Sequence, residues 1–147
     1  IGTSNFSISF WMKGVSGSII SKLDSSLTGP GYLISRIGSS SIRLVVDDGP
    51  DQVNPQFTPP NLSQWHHYTF RVDKSVATGI NLYVDGVVQN CSGNCTYDLT
   101  TIGDIGSTNK LGFGTRNPDD NGYYFNGSLD DGRVYNRENT PQEICDL

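Results

Sequence analysis

The chain has 147 residues, with 10 Lys and Arg against 15 Asp and Glu, a formal net charge of −5. That balance, without a basic run, excludes nucleic acid as a partner, because such binding depends on Lys and Arg neutralising phosphates. Hydrophobic residues are only 35% of the chain, and no apolar stretch approaches the roughly 18 residues of a membrane-spanning helix, so no membrane insertion is expected.

A chain of this length can bury about 70% of its unfolded surface in one core, and residues 1–147 read as a single domain. Alternation of period two begins at once. Phe6, Ile8, Phe10 and Met12 fall on one face of a segment whose other face carries Ser7, Ser9 and Trp11, the pattern of a half-buried strand. Ile19 and Ile20 lead into Lys22 and Leu23, and Tyr32, Leu33, Ile34 and Ile37 form the next short run. Ile42, Leu44 and Val46 alternate with Arg43, Val45 and Asp47. Residues 49–64 carry Pro55, Pro59 and Pro60 and read as an irregular crossover, since proline cannot serve a central ladder. Tyr68, Phe70 and Val72, then Ile80, Leu82 and Val84, resume the alternation. Trp65 and Leu82 are expected between the layers.

The turns have mechanisms. Asp85-Gly86 between Val84 and Val87 is a type I′ hairpin signal, because both central residues must reach positive φ. Further strands are expected at Lys110–Thr115 and Phe125–Tyr135. Thr140-Pro141-Gln142-Glu143 is a capping box that starts one short helix, with Ile144 and Leu147 turned to the sandwich. Many short strands and almost no helix give an all-β class: an antiparallel two-sheet sandwich with a short C-terminal helix.

Three cysteines are present. Cys91 and Cys95 flank a tight Gly-containing loop and are read as a local disulfide; the rival, half of a metal site, lacks a second Cys or His pair at zinc-like spacing. Cys145 is left over, free or paired with something outside this sequence. Five Asn-x-Ser/Thr triplets, at Asn5, Asn61, Asn90, Asn94 and Asn126, lean with the cysteines towards a secreted, extracellular location. The chain opens at Ile1 without a signal peptide and reads as a fragment of a longer product.

Three segments go beyond generic strand pattern: Phe6-Ser7-Ile8-Ser9-Phe10-Trp11-Met12-Lys13; Trp65-His66-His67-Tyr68-Thr69-Phe70-Arg71-Val72-Asp73 with Ile80 to Gly86; and Phe125 to Arg137 running into Thr140 to Ile144. In this order and spacing they resemble laminin-G-like domains of the concanavalin A-like superfamily, pentraxin-like versions included. The resemblance implies a jelly roll whose members bind glycans or protein partners, often through a calcium ion at the rim. Such domains usually open with a strand before the Phe6 segment; here only five residues precede it, so either that strand was cut away or a neighbouring chain supplies it.

The candidate ligand site is the loop Arg116 to Tyr124. Asn117, Asp119 and Asp120 offer the hard oxygens calcium prefers, and Tyr123 and Tyr124 offer flat faces for a sugar ring. The loop falls where pentraxin-like relatives carry calcium-binding acids. Their second acidic turn is here Gly38-Ser39-Ser40-Ser41, without a carboxylate, so calcium and a simple solvated loop both stand. His66 and His67 point to opposite faces and are read as scaffold. Asp130 and Asp131 are read as backbone acceptors, with calcium as the rival, and Asp47 and Asp48 as turn acceptors. Glycosidases of this fold need carboxyl pairs about 5–10 Å apart, but the glutamates are only Glu138 and Glu143. No enzymatic role is expected. The leading reading is an extracellular adhesion module for a glycan or cell-surface protein. The alternative is a subunit that associates with copies of itself into a fibre or surface layer by strand complementation.

Overall fold

The computed structural model describes every residue except 24, 25, 39, 62, 120 and 121. In chain order the strands are β1 (Phe6–Ser21), β2 (Gly31–Ile37), β3 (Ser41–Asp47), β4 (Gln52–Val53), β5 (Gln56–Phe57), β6 (His66–Val72), β7 (Ile80–Val84), β8 (Val87–Gln89), β9 (Cys91–Gly93), β10 (Gly112–Phe113) and β11 (Asn126–Tyr135). One helix, α1 (Pro141–Cys145), follows. All pairings are antiparallel. One sheet runs β8-β7-β6-β1-β11 and the other β10-β1-β2-β3-β5-β9, with β4 added on β3.

β1 belongs to both sheets. Its first half lies between β6 and β11, and its second half between β2 and β10. The sequence signal was two separate runs, at Phe6 and at Ile19; the structure joins them into one 16-residue strand. Between the pairs Ser18–Ser35 and Ile20–Ile34, β1 carries one extra residue. Such a bulge lets neighbouring side chains break alternation. Ile19 and Ile20 are accordingly both fully buried in the same core.

Between the sheets, Phe6, Ile8, Phe10 and Met12 meet Tyr68, Phe70 and Leu82 of the first sheet and Ile34, Leu44 and Phe57 of the second. Phe10 stacks on Tyr68 with centroids 5.6 Å apart, and Phe57 meets Phe70 edge-on at 6.0 Å. Leu82 is buried, as expected. Trp65 is not: it is 44% exposed. The same period of two explains the correction. Tyr68 and Phe70 point inward, so Trp65 shares the outward parity of His67.

Residues 49–64 are more regular than their prolines imply. Val53, Pro55, Phe57 and Pro59 are buried in alternation, and β4 and β5 each add a two-residue ladder to β3. The strand expected over 110–115 shortens to Gly112–Phe113. Asp85 and Gly86 have φ of 49° and 76°, the backbone a type I′ turn requires. Cys91 and Cys95 form the disulfide, and Cys145 is free and exposed.

The segment after β11 folds across the outer face of the first sheet. The Asn139 N–H donates to Ser7 Oγ at 2.8 Å, and Glu138 pairs with Arg71 at 2.8 Å. Ser7, Ser9 and Thr69 face outward in the ladder and are nevertheless buried. Thr140 caps α1, its Oγ1 accepting from the Glu143 N–H while Glu143 accepts from the Thr140 N–H. Ile144 is buried and Leu147 half-buried.

Candidate functional site

On the outer face of the second sheet, loops leave a small cavity over residues that are themselves mostly buried. The register aligns Ser18 with Ser35, Ser35 with Arg43 and Arg43 with Gln56, a polar row across four strands. Beside this row, Leu23, Leu33 and Val45 form a small apolar cluster against which Leu27 packs. Alternation puts Leu33, Ser35, Arg43 and Val45 on this side, because Ile34, Leu44 and Val46 occupy the core.

The 115–125 loop stands on the other flank. Its neck closes through the Phe125 N–H to Gly114 O at 2.9 Å, and the Ser18 N–H donates to Tyr123 O at 3.3 Å. Gly17 permits this approach: at φ 101°, a Cβ there would lie 2.1 Å from Tyr124 O. Tyr123 itself is left-handed, at φ 59°. The Arg116 guanidinium carbon sits 3.6 Å from the Tyr123 ring centroid, a cation–π contact that holds both side chains. A cavity of about 140 Å³ results, lined by Leu27, Leu33, Ser35, Arg43, Arg116 and Tyr123 among others. Arg43 Nε donates to Ser35 Oγ at 3.0 Å, and burial lowers the pKa of its guanidinium.

The sequence-selected residues divide. Tyr123 and Tyr124 are both exposed, by 64% and 61%; Tyr123 lines the cavity. Asn117 and Asp119 build the loop's turn, the Asp119 N–H donating to Asn117 Oδ1 at 3.0 Å. Asp119 Oδ1 is held by Lys110 Nζ at 2.5 Å. Asp120 lies outside the described residues. Among the described residues no three His, Cys, Asp or Glu side chains converge as a metal site. The sequence reading missed Arg43 and Ser35. Their strand alternation was visible, but their meeting with a loop some 75 residues on was carried by no local signal.

The other acidic and imidazole groups are engaged in the scaffold. Asp85 accepts from the His67 N–H at 2.9 Å and contacts His66 Nδ1 at 2.6 Å. Burial works against the Asp85 carboxylate, but these two hydrogen bonds outweigh it and its pKa falls below the ordinary value. His66 lies on the side of Tyr68, and His67 packs on Trp11 with centroids 5.4 Å apart; burial lowers the His67 pKa. Asp130 Oδ1 accepts from the Asp131 N–H, and Asp131 binds Arg133 through both oxygens. Asp47 and Asp48 accept from the N–H groups of Gly49, Asp51 and Gly103. Glu138 and Glu143 are tied to Arg71 and Arg137.

Two further surface features stand out. Trp11, Trp65 and Asp130 line a hollow of about 290 Å³ at one end of the first sheet. Between β10 and β11 a notch of about 310 Å³, flanked by Phe113 and Leu129, opens onto the core residues Phe10 and Ile20. Residues near Phe6 are paired on both sides, by β6 and β11, so a strand from elsewhere cannot join there. Among the described residues β11 is paired only with β1, which moves the open edge to β11.

Residues 1–145 match the family model described as Concanavalin A-like lectin/glucanases superfamily. No curated protein sequence matches the chain significantly. Among solved structures it resembles the botulinum neurotoxin serotype G binding domain (TM-score 0.73, 18% identity), covering 98% of this chain and 36% of that one. It also resembles the CBM40 of a Ruminococcus gnavus IT-sialidase bound to α2,3 sialyllactose (TM-score 0.66, 15% identity; 98% and 82% covered). Domains LG4-5 of the mouse laminin α1 chain are a third (TM-score 0.63, 13% identity; 89% and 35% covered). At these identities the likeness shows the fold. The chain spans about a third of the length of the toxin and laminin structures it matches.

Proposed function

Because this chain belongs to the concanavalin A-like lectin/glucanases superfamily, we propose that it is a non-catalytic recognition module for glycans, acting outside the cell. The observation that carries the reading is the cavity on the second sheet's outer face, where Arg43 of the polar row, the apolar Leu27 and Leu33 and the exposed Tyr123 converge, with the exposed Tyr124 beside it. A sugar needs such a mixture, hydrogen-bonding side chains for its hydroxyls and a flat or apolar surface for its ring. The sialyllactose-bound CBM40 shares the fold over 98% of this chain, and the local disulfide suits an oxidising environment. Both glutamates are held in ion pairs of the C-terminal cover, which supports binding without bond cleavage.

Asn117 and Asp119 would be two of calcium's ligands; Asn117 Oδ1 accepts from the Asp119 N–H and Asp119 Oδ1 pairs with Lys110. The reading therefore rests on Arg43, Arg116, Tyr123 and Tyr124 and routes nothing through a metal. A glycan array probed with the purified domain tests it. Binding competed by the free sugar and weakened by Tyr123→Ala is expected; an array without a single competable signal overturns it.

A second reading has its own observation. The notch between β10 and β11 places the exposed Phe113 beside a strand, β11, with one partner among the described residues. An unpaired edge is a template for strand addition, so self-association through β11 is the structural alternative, with Cys145 able to bridge copies. Light scattering across a hundredfold concentration range, with and without reductant, decides: a monomer throughout removes it.

A further inference from the structure

The cavity under the 115–125 loop is cationic in an acidic chain. It is lined by Arg43 and Arg116, with Arg36 at its margin, and by no acidic residue among the described ones. The protein as a whole carries a formal charge of −5, so this sign is local and set by position.

Arg43 is held by one contact. Its Nε donates to Ser35 Oγ, which fixes the plane of the guanidinium, and among the described residues its two terminal nitrogens have no protein partner. Burial lowers its pKa, and no neighbouring charge offsets that effect. A partly desolvated cation costs free energy until an anion is brought to it. The guanidinium fork matches the two oxygens of a carboxylate or of one edge of a sulfate. Across the cavity, Arg116 is fixed over the Tyr123 ring. Leu27 and Leu33 supply an apolar wall beside these cations. About 140 Å³ is well below the roughly 300–1,000 Å³ of pockets that enclose whole drug-sized ligands. It holds one charged substituent and part of a ring, and leaves the remaining sugars to the exposed Tyr124 and the polar row.

We infer that this cavity is a subsite for the anionic group of an acidic sugar, carboxylate or sulfate, gripped by Arg43. The inference rests on the glycan-binding reading and narrows it to acidic glycans. Arg36 is not assigned to the grip: its side chain is buried and shares the inward parity of Ile34, and its charge lies within electrostatic reach of Tyr68.

The test is an array pairing neutral glycans with their sialylated, sulfated and uronate-bearing counterparts, followed by calorimetry on the best pair. Charge-assisted hydrogen bonds of this kind correspond to about tenfold or more in affinity. The acidic member of the pair should bind at least about tenfold more tightly than the neutral one. Arg43→Gln should abolish that difference, and Arg43→Lys should restore part of it. The sialylated, sulfated and uronate arms tell which anion is read. Equal binding of neutral and acidic forms overturns this inference and leaves the glycan reading standing. A preference undiminished in Arg43→Gln overturns the assignment to this cavity. Binding of neither form overturns both.

Discussion

The two outer faces of the sandwich are made from the same kind of alternating strand, but the chain seals one with a tied-down segment and leaves a cavity on the other. On the first sheet the 136–147 segment lies over Ser7, Ser9 and Thr69, and Asn139, Arg71 and Glu138 tie it down. On the second sheet Arg43, Ser35 and Ser18 stand in the corresponding outward positions, flanked by loops that do not meet over them. The lesson is that polar outward residues acquire opposite roles from what the chain does afterwards. A buried serine becomes an anchor for a backbone N–H; an uncovered arginine becomes a contact for another molecule.

The contrast can be broken most forcefully at Ile144, the buried side chain of the cover. Ile144→Ala should cost about 2–5 kcal/mol in urea unfolding; a cost under about 1 kcal/mol would mean that the segment is not a seal. Ser7→Ala leaves the Asn139 N–H unpaired in a buried setting and should cost about 1–3 kcal/mol, read the same way. Thr140→Ala removes the cap of α1 and should cost about 1 kcal/mol.

Acid should loosen the same cover. Arg137, and then the Thr140 N–H, hold the Glu143 carboxyl at about 2. A carboxyl depressed in the folded state contributes stability above its unfolded value of about 4.3 and loses it as pH falls towards the folded one. Hydrogen-exchange protection over residues 137–146, relative to the intrinsic rate at each pH, should therefore fall between about pH 4 and 2, ahead of β6. Glu143→Gln should flatten that dependence; a wild-type profile as flat as the variant's would refute it. On the open face the expectation reverses. Arg43→Gln should change stability by no more than about 0.5 kcal/mol, as for a surface position, while weakening recognition of acidic glycans. A large loss of stability would make Arg43 a structural residue instead.

What could be read from the sequence is what neighbours along the chain decide. The Phe6-Ile8-Phe10-Met12 face, the Asp85-Gly86 turn and the Thr140–Glu143 capping box depend on contacts a few residues apart, and each stands as written. The resemblance to laminin-G-like domains supplied the arrangement of the strands. Trp65 was expected between the layers, although parity with His67 puts it outside. The bulge at Ile19 was hidden because an extra residue is defined only against a partner strand. The candidate site was half legible. The Arg116–Tyr124 loop shows in its composition, and Tyr123 does line the cavity. Arg43 and Ser35 enter it through strand register, and Asp119 pairs with Lys110; neither is a local property.

The most direct test of the division between the faces is amide chemical-shift mapping, titrating the labelled domain with the tightest-binding glycan from the array. The account predicts perturbations confined to residues 17–18, 33–36, 42–45 and 115–125. Perturbations centred instead on Trp11, Trp65 and Asp130, at the end of the first sheet, would contradict it.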